Sequence, residues 1–192
     1  MPDELEKLYI LAKDLSRSSS VFSEDLWSYV DKELWEETKN PWLILQKISE
    51  EKLENLAKDP KFVKLVSDHY SRREASIKTP GFFENTYPNS PLKSSAFFSM
   101  EFGLSEALPI YSGGLGMLAG DFLKAANDLK LPVTGVGLLY QQGYFRQLLD
   151  PKGFQKEFYP FNDPSQLPVE QVTDKNNRPL FIPLEFPGRT VQ

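Results

Sequence analysis

Apolar residues recur at three- and four-residue intervals through the N-terminal part of the chain. Leu5, Leu8, Leu11 and Leu15 share one face of a first predicted helix; Leu26, Val30 and Leu34, flanked by Trp27 and Trp35, share one face of a second. Asn40-Pro41 and Asp59-Pro60 each place a capping side chain before a proline at the first helical position. The second of these opens Phe62, Leu65, Val66, His69 and Tyr70, which predicts a fourth or fifth helix. The tryptophans (Trp27, Trp35, Trp42) stand at helical spacing, so they read as core in preference to a platform for sugar rings. His69, the one histidine, falls on or near an apolar face, where a packed, hydrogen-bonded role is expected and no chemistry is assigned.

The pattern breaks near residue 80. All 11 glycines lie at Gly81 or later, and the turn-rich stretches Thr79-Pro80-Gly81 and Tyr87-Pro88-Asn89-Ser90-Pro91 read as a connector. Residues 1–90 are therefore expected to form a helical region with its connector, and 91–192 the opening of an α/β domain. Ser95 to Met100 reads as a short buried strand and Pro132 to Tyr140 as a second. Between them Leu115, Leu118, Ala119, Phe122, Leu123, Ala126 and Leu129 mark the apolar face of a helix. Strand, helix, strand predicts a parallel crossover unit, with ligands favoured at the strands' carboxyl ends. Gly143 to Leu149, the turn Asp150-Pro151-Lys152-Gly153 and Phe154 to Phe158 predict a hairpin. Pro179 to Phe186 reads as strand, with another beginning at Thr190-Val191-Gln192.

Candidate chemistry lies at the start of the central helix, in Tyr111-Ser112-Gly113-Gly114-Leu115-Gly116. Ser112 stands where an N-cap is expected. Free N–H groups and the positive end of a helix dipole favour an anion, typically phosphate, and glycine lets it approach the bare backbone. A tight turn packed under a strand is the commoner explanation of such a pair on spacing alone. The run lacks the lysine and hydroxyl of a P-loop, and its glycine spacing is not that of a dinucleotide fold.

Longer blocks bear on that choice. Ser99-Met100-Glu101-Phe102-Gly103, the glycine run, Asp121 to Leu129, Leu131 to Tyr140, Gln142-Gly143-Tyr144-Phe145 and Gly153 to Glu157 follow in order through about half of the chain. In these blocks the sequence resembles the α-glucan (glycogen/maltodextrin) phosphorylase family, in its short bacterial form, and it resembles only the N-terminal portion. The resemblance implies a Rossmann-like GT-B architecture, begun here and incomplete. It implies phosphorolysis of α-1,4-glucans by inorganic phosphate to glucose 1-phosphate, with retention at the anomeric carbon. It also implies pyridoxal phosphate as cofactor, whose lysine is not in this chain, so no catalytic residue is assigned and the chain alone is expected to be inactive. Carried over position by position, Gly113 and Gly114 would offer N–H groups to phosphate. Leu115 would approach the bound glucose, Gly116 would permit the close turn, and Glu101 would neighbour the active site, with a paired role for it as a hypothesis. Ser112, Met117 and Gly103 depart from the Asn, Arg and Tyr of the animal enzymes, and the contacts of those side chains are not carried over.

Two other readings stand beside this one: a noncatalytic glucan-binding or assembly module, and a starch or glycogen synthase-type transferase. The synthases carry a lysine where this chain has Tyr111, and lack the Ser99 to Phe102 block. The chain is expected to stop within a domain, as a truncated product or partial reading frame would, with a naturally short protein as the alternative. Half of a sheet should expose apolar surface and associate, which leaves a homo-oligomer open. A net charge of −5 with interspersed signs offers no basic stripe for nucleic acid. The absence of cysteine excludes disulfides and thiolate sites. An acidic start and no bilayer-length apolar stretch lead to the expectation of a cytoplasmic protein without a membrane partner.

Overall fold

The computed structural model describes residues 5–16 and 23–191. Its first part is helical: α1 Glu6–Lys13, α2 Glu24–Thr38, α3 Pro41–Lys47, α4 Glu50–Ala57 and α5 Pro60–Lys78. The two proline-started helices are capped as their sequence requires. Asn40 accepts the N–H of Leu43 and Asp59 that of Lys61, each completing an orphan donor of a first turn. Their apolar faces close one core around Leu5, Leu8, Trp27, Trp35, Ile44, Phe62 and Val66, all within 1% of full burial. Trp27 and Trp35 lie in that core, as expected; Trp42 is half-buried, and its ring meets Tyr9 edge-on at 5.0 Å.

His69 is buried, its Nε2 3.0 Å from Asp25 Oδ1, which is the packed and bonded role its position predicted. Two local features differ from the plain periodic reading. α2 is broken at Asp31, whose carboxylate accepts the N–H of Leu34 and so restarts the helix as an internal cap. α1 ends at Lys13, and Leu15, beyond it, packs against the second core cluster.

The connector holds a further helix, α6 Phe82–Thr86, whose start is secured by Glu84 accepting the Gly81 N–H at 3.0 Å. The α/β part then opens with β1 Ser95–Phe98, α7 Gly114–Asp128 and β2 Val133–Val136. β1 and β2 pair in parallel, Ser95 opposite Val133 and Phe98 opposite Val136, so strand, helix and strand form the predicted crossover unit; the strands themselves are shorter than expected and largely exposed instead of buried, because no further layer covers their faces. β3 Arg146–Leu149 and β4 Gln155–Phe158 form the predicted hairpin, with Gly153 at φ +82° closing its turn. A second hairpin joins β5 Leu184–Phe186 to β6 Arg189–Val191.

The two parts meet along a seam at residues 163–170. Trp42 Nε1 donates to Ser165 O at 2.9 Å, Asn40 Nδ2 to Gln166 O at 3.2 Å, and Lys13 Nζ stands 2.6 Å from Glu170. Among the described residues no helix is long and apolar enough to cross a membrane, and no group of three or more metal-ligating side chains stands together.

Candidate functional site: the glycine loop and its carboxylate

After β1 the chain passes beneath the start of α7, and the fit there depends on missing side chains. A Cβ on Gly120 would lie 2.2 Å from the carbonyl oxygen of Gly103; one on Gly116 would lie 2.5 Å from Tyr111 Cβ and 3.0 Å from Glu101 Oε2. The Gly103 N–H donates to Gly116 O at 2.7 Å across the same contact. Small residues therefore form the buried stripe of α7: Gly116, Ala119, Gly120 and Ala126. Of the predicted apolar face, Ala119 and Ala126 are buried and Leu123 half-buried. Leu115, Leu118, Phe122 and Leu129 are exposed, because close backbone contact leaves no room for large side chains on the packed side.

That approach brings Glu101 to the helix N-terminus. Its Oε1 accepts the Ser112 hydroxyl at 2.7 Å and its Oε2 the Ser112 N–H at 3.2 Å. The Ser112 hydroxyl, and after it the backbone N–H groups of Ser112, Gly113 and Gly116, hold the carboxyl below its ordinary value of 4.5 against the opposing effect of desolvation. Ser112 is thus not the N-cap that its position predicts. The N-cap is Gly113, with extended backbone and no side-chain cap bond, because Glu101 competes successfully for the Ser112 hydroxyl. A carboxylate from a neighbouring loop supplies the negative charge that the helix end favours.

The predicted loop residues come together as a unit. Gly113 and Gly114 are exposed, and a Cβ on either would meet nothing within 4 Å, while the Gly113 N–H is turned toward Glu101. Leu115 is exposed beside them, Gly116 is buried at the contact just described, and Glu106 is a surface residue that accepts the Tyr111 hydroxyl at 3.2 Å. A cleft of about 260 Å³ opens next to this loop, lined by Glu101, Ile110, Tyr111, Ser112, Tyr140, Gln142, Gly143 and Tyr144. Tyr140, Gln142 and Tyr144 carry no motif of their own. In the sequence they belong only to blocks of the family resemblance, and spacing gives no sign that they face Glu101.

Comparison with known proteins gives the family. A family described as "protein of unknown function (DUF3417)" matches residues 1–108. The maltodextrin phosphorylase of Thermococcus litoralis is 39% identical over the whole of this chain, which covers 23% of that protein. The glycogen phosphorylase of Mycobacterium tuberculosis is 36% identical over 95% of the chain, covering 22% of the relative. That of Aquifex aeolicus is 37% identical over 90% of the chain, covering 24%. No solved structure matches. The chain belongs to the α-glucan phosphorylase family, whose N-terminal region the DUF3417 family describes. It spans less than a quarter of the length of these relatives.

Proposed function

We propose that this chain is the glycine-loop portion of an α-glucan phosphorylase, which transfers a terminal α-1,4-linked glucosyl unit of a glucan to inorganic phosphate. The C1–O4 glucosidic bond breaks, a C1–O bond to phosphate forms with retention, and the shortened glucan takes a proton on O4. The observation that carries this reading is the exposed glycine turn at the start of α7, with Gly114 its first helical residue, within a parallel crossover unit. Fixed N–H groups at such a turn stabilise charge on an oxyanion without reorganising. Glu101 holds the loop from behind, through Ser112 and the N–H groups of Gly113 and Gly116.

Pyridoxal phosphate supplies proton exchange with the substrate phosphate in this reading. No lysine of this chain is assigned to the cofactor's aldehyde, so catalysis belongs to the protein of the relatives' length. The same reading extends the architecture to a GT-B pair of domains and places the protein in the cytoplasm.

The test is release of glucose 1-phosphate from maltodextrin by the full-length protein carrying this sequence. Release requiring both phosphate and pyridoxal phosphate is expected. Gly114→Pro deletes one N–H at the first helical position, where proline is tolerated, and should lower kcat about 10²-fold, the size seen when one oxyanion donor is removed. No release from a folded, cofactor-supplied protein would turn the reading to a noncatalytic glucan-binding or assembly module, with the loop a structural turn.

A further inference from the structure

The glycine loop already holds a negative charge. Glu101 accepts the Ser112 hydroxyl at 2.7 Å and the Ser112 N–H at 3.2 Å, and the N–H groups of Gly113 and Gly116 bond the same carboxylate. A carboxylate has about four acceptor positions, so Glu101 is fully spent on the loop. Its backbone is fixed as well: the Ser99 hydroxyl donates to Glu101 O at 2.8 Å, and the Glu101 N–H to Ser99 Oγ at 3.4 Å. The side chain thus stands where a bound anion would stand at a helix N-terminus, and its charge is absorbed by the donors around it.

The N–H groups of the turn are divided by this arrangement. Those of Gly113 and Gly116 turn inward to Glu101. Those of Gly114 and Leu115, the first two helical residues, carry no hydrogen bond among the described residues, and both residues are exposed. The seat of the carboxylate leaves no room for a side chain at Gly116, where a Cβ would lie 3.0 Å from Glu101 Oε2 and 3.1 Å from Glu101 Cβ. Stability alone needs none of this, because a Ser112 hydroxyl left free could cap α7 by itself.

From this division we infer that Glu101 is a positioning residue for phosphorolysis: by drawing the Gly113 and Gly116 N–H groups inward, it aims those of Gly114 and Leu115 at the phosphate. The inference rests on the phosphorylase reading for the reaction and for the identity of the anion. Glu101 makes no contact with substrate in this role and acts through the loop. Removing one fixed oxyanion donor lowers kcat about 10²- to 10³-fold. Donors that are kept but misaimed should cost less, at least about tenfold.

The test is glucose 1-phosphate release by the full-length protein, expressed as kcat per bound pyridoxal phosphate, so that a loss of folded protein does not count as a loss of rate. Glu101→Gln keeps the shape but turns an NH2 group toward the N–H donors, and should lower this kcat at least about tenfold. Ser112→Ala removes the hydroxyl and leaves the carboxylate with its backbone donors, and should lower it less. An unchanged kcat per bound cofactor in Glu101→Gln, or an equal loss in Ser112→Ala, would overturn the role. A second measurement needs no activity: amide NMR shifts of the 192-residue chain as pH falls. The Ser112, Gly113 and Gly116 signals should move together through one midpoint below 4.5, and those of Gly114 and Leu115 by a smaller amount. The other titratable groups near the loop are Tyr111, Tyr140, Tyr144 and Glu106, the last accepting the Tyr111 hydroxyl; the joint movement should vanish in Glu101→Gln and persist in Glu106→Gln. Equal movement of all five signals would overturn the division of donors. No release from the unaltered full-length protein removes the phosphorylase reading and this role with it, whereas release that Glu101→Gln leaves intact removes this role alone.

Discussion

The helical part and the α/β part handle apolar surface in opposite ways. In the helices the large side chains point inward, and Trp27, Trp35 and Phe62 are buried to within 1%. In the α/β part they stand outside: Phe98 and Leu118 are each 74% exposed and Leu149 76%. There α7 makes its buried contacts through glycine and alanine, and the large buried side chains come to a small cluster of Phe102, Leu108, Ile110 and Leu167. The chain accordingly presents 13437 Å² of accessible surface, against about 9,300 Å² for a compact monomer of 22.0 kDa. The helices complete their own core. The crossover unit is organised by backbone proximity, which places a loop accurately while leaving its sheet faces to be covered by something else.

Truncation in each part should break this contrast most sharply if it is wrong. Phe62→Ala empties a fully buried site and should cost about 3–5 kcal/mol, whereas Phe98→Ala and Leu149→Ala should stay within about 0.5 kcal/mol. Urea midpoints at constant slope measure both. Comparable losses in the two parts would mean that the α/β surface is covered in solution. That outcome is itself readable, because the uncovered apolar residues should bind a hydrophobic dye and drive concentration-dependent association seen by light scattering. A monodisperse monomer without dye binding would contradict the open surface.

Glycine substitutions sharpen the comparison within α7 itself. Gly120→Ala drives a Cβ to 2.2 Å from a backbone carbonyl that cannot swing away, so the helix must lift off the Glu101 to Gly103 segment at about 1–3 kcal/mol. Gly114→Ala adds a Cβ in open space at a helical position and should be neutral or stabilising by up to about 1 kcal/mol. Thermal melts of the two variants should move in opposite directions or, at the least, differ by several degrees. Equal shifts would show that close backbone contact does not set the position of α7.

These residues also mark how far the sequence could be read. The amphipathic helices and the Asn40 and Asp59 caps were legible because they depend on neighbours in sequence. So were the crossover unit and the β3–β4 hairpin, where strand patterns and turn residues coincide. The Ser112 cap was misread because its competitor, Glu101, is eleven residues away and reaches it only through the Gly103–Gly116 contact. The exposed face of α7 was misread for a related reason: apolar periodicity reports which residues share a face, not whether that face or the glycine stripe beside it is packed. α6 lay hidden in a stretch whose Pro and Gly signalled turns, and its start relies on the Glu84 side chain. At the candidate site the loop glycines and Glu101 could be named from sequence, while the Tyr140, Gln142 and Tyr144 wall could not. Its placement comes from Asn162, beyond the following hairpin.

Glu101→Gln tests the carboxylate that joins the two sides of the loop. The folded-state pKa of Glu101 is depressed below 4.5, so its contribution is fully present above the unfolded value and is lost as pH falls through the folded one. At pH 7 the variant keeps an acceptor but loses the charge, and should be less stable by about 1 kcal/mol, discounted for partial exposure. As pH falls below 4.5 the difference should shrink, because the native carboxylate's contribution is lost as it becomes protonated. A difference that is constant across this range would assign the loss to packing in place of charge.

The smallest effect is expected at the seam between the two parts. Glu170 approaches Lys13 to 2.6 Å, but its side chain is 70% exposed, and such pairs contribute about 0–1 kcal/mol. Glu170→Ala should therefore change stability by no more than about 0.5 kcal/mol. Lys13 is different, since its side chain is 16% exposed and its ammonium lies 4.4 Å from the Tyr9 ring centroid and 4.5 Å from that of Trp42. Lys13→Ala loses those cation–π contacts and the packed stem as well, and should cost about 1 kcal/mol more than Glu170→Ala. The double variant separates the two contributions: a coupling near zero means that the aromatic pair alone positions Lys13. A coupling as large as the Lys13→Ala loss would mean that the ion pair closes the seam and that the helical part is less independent than its core suggests.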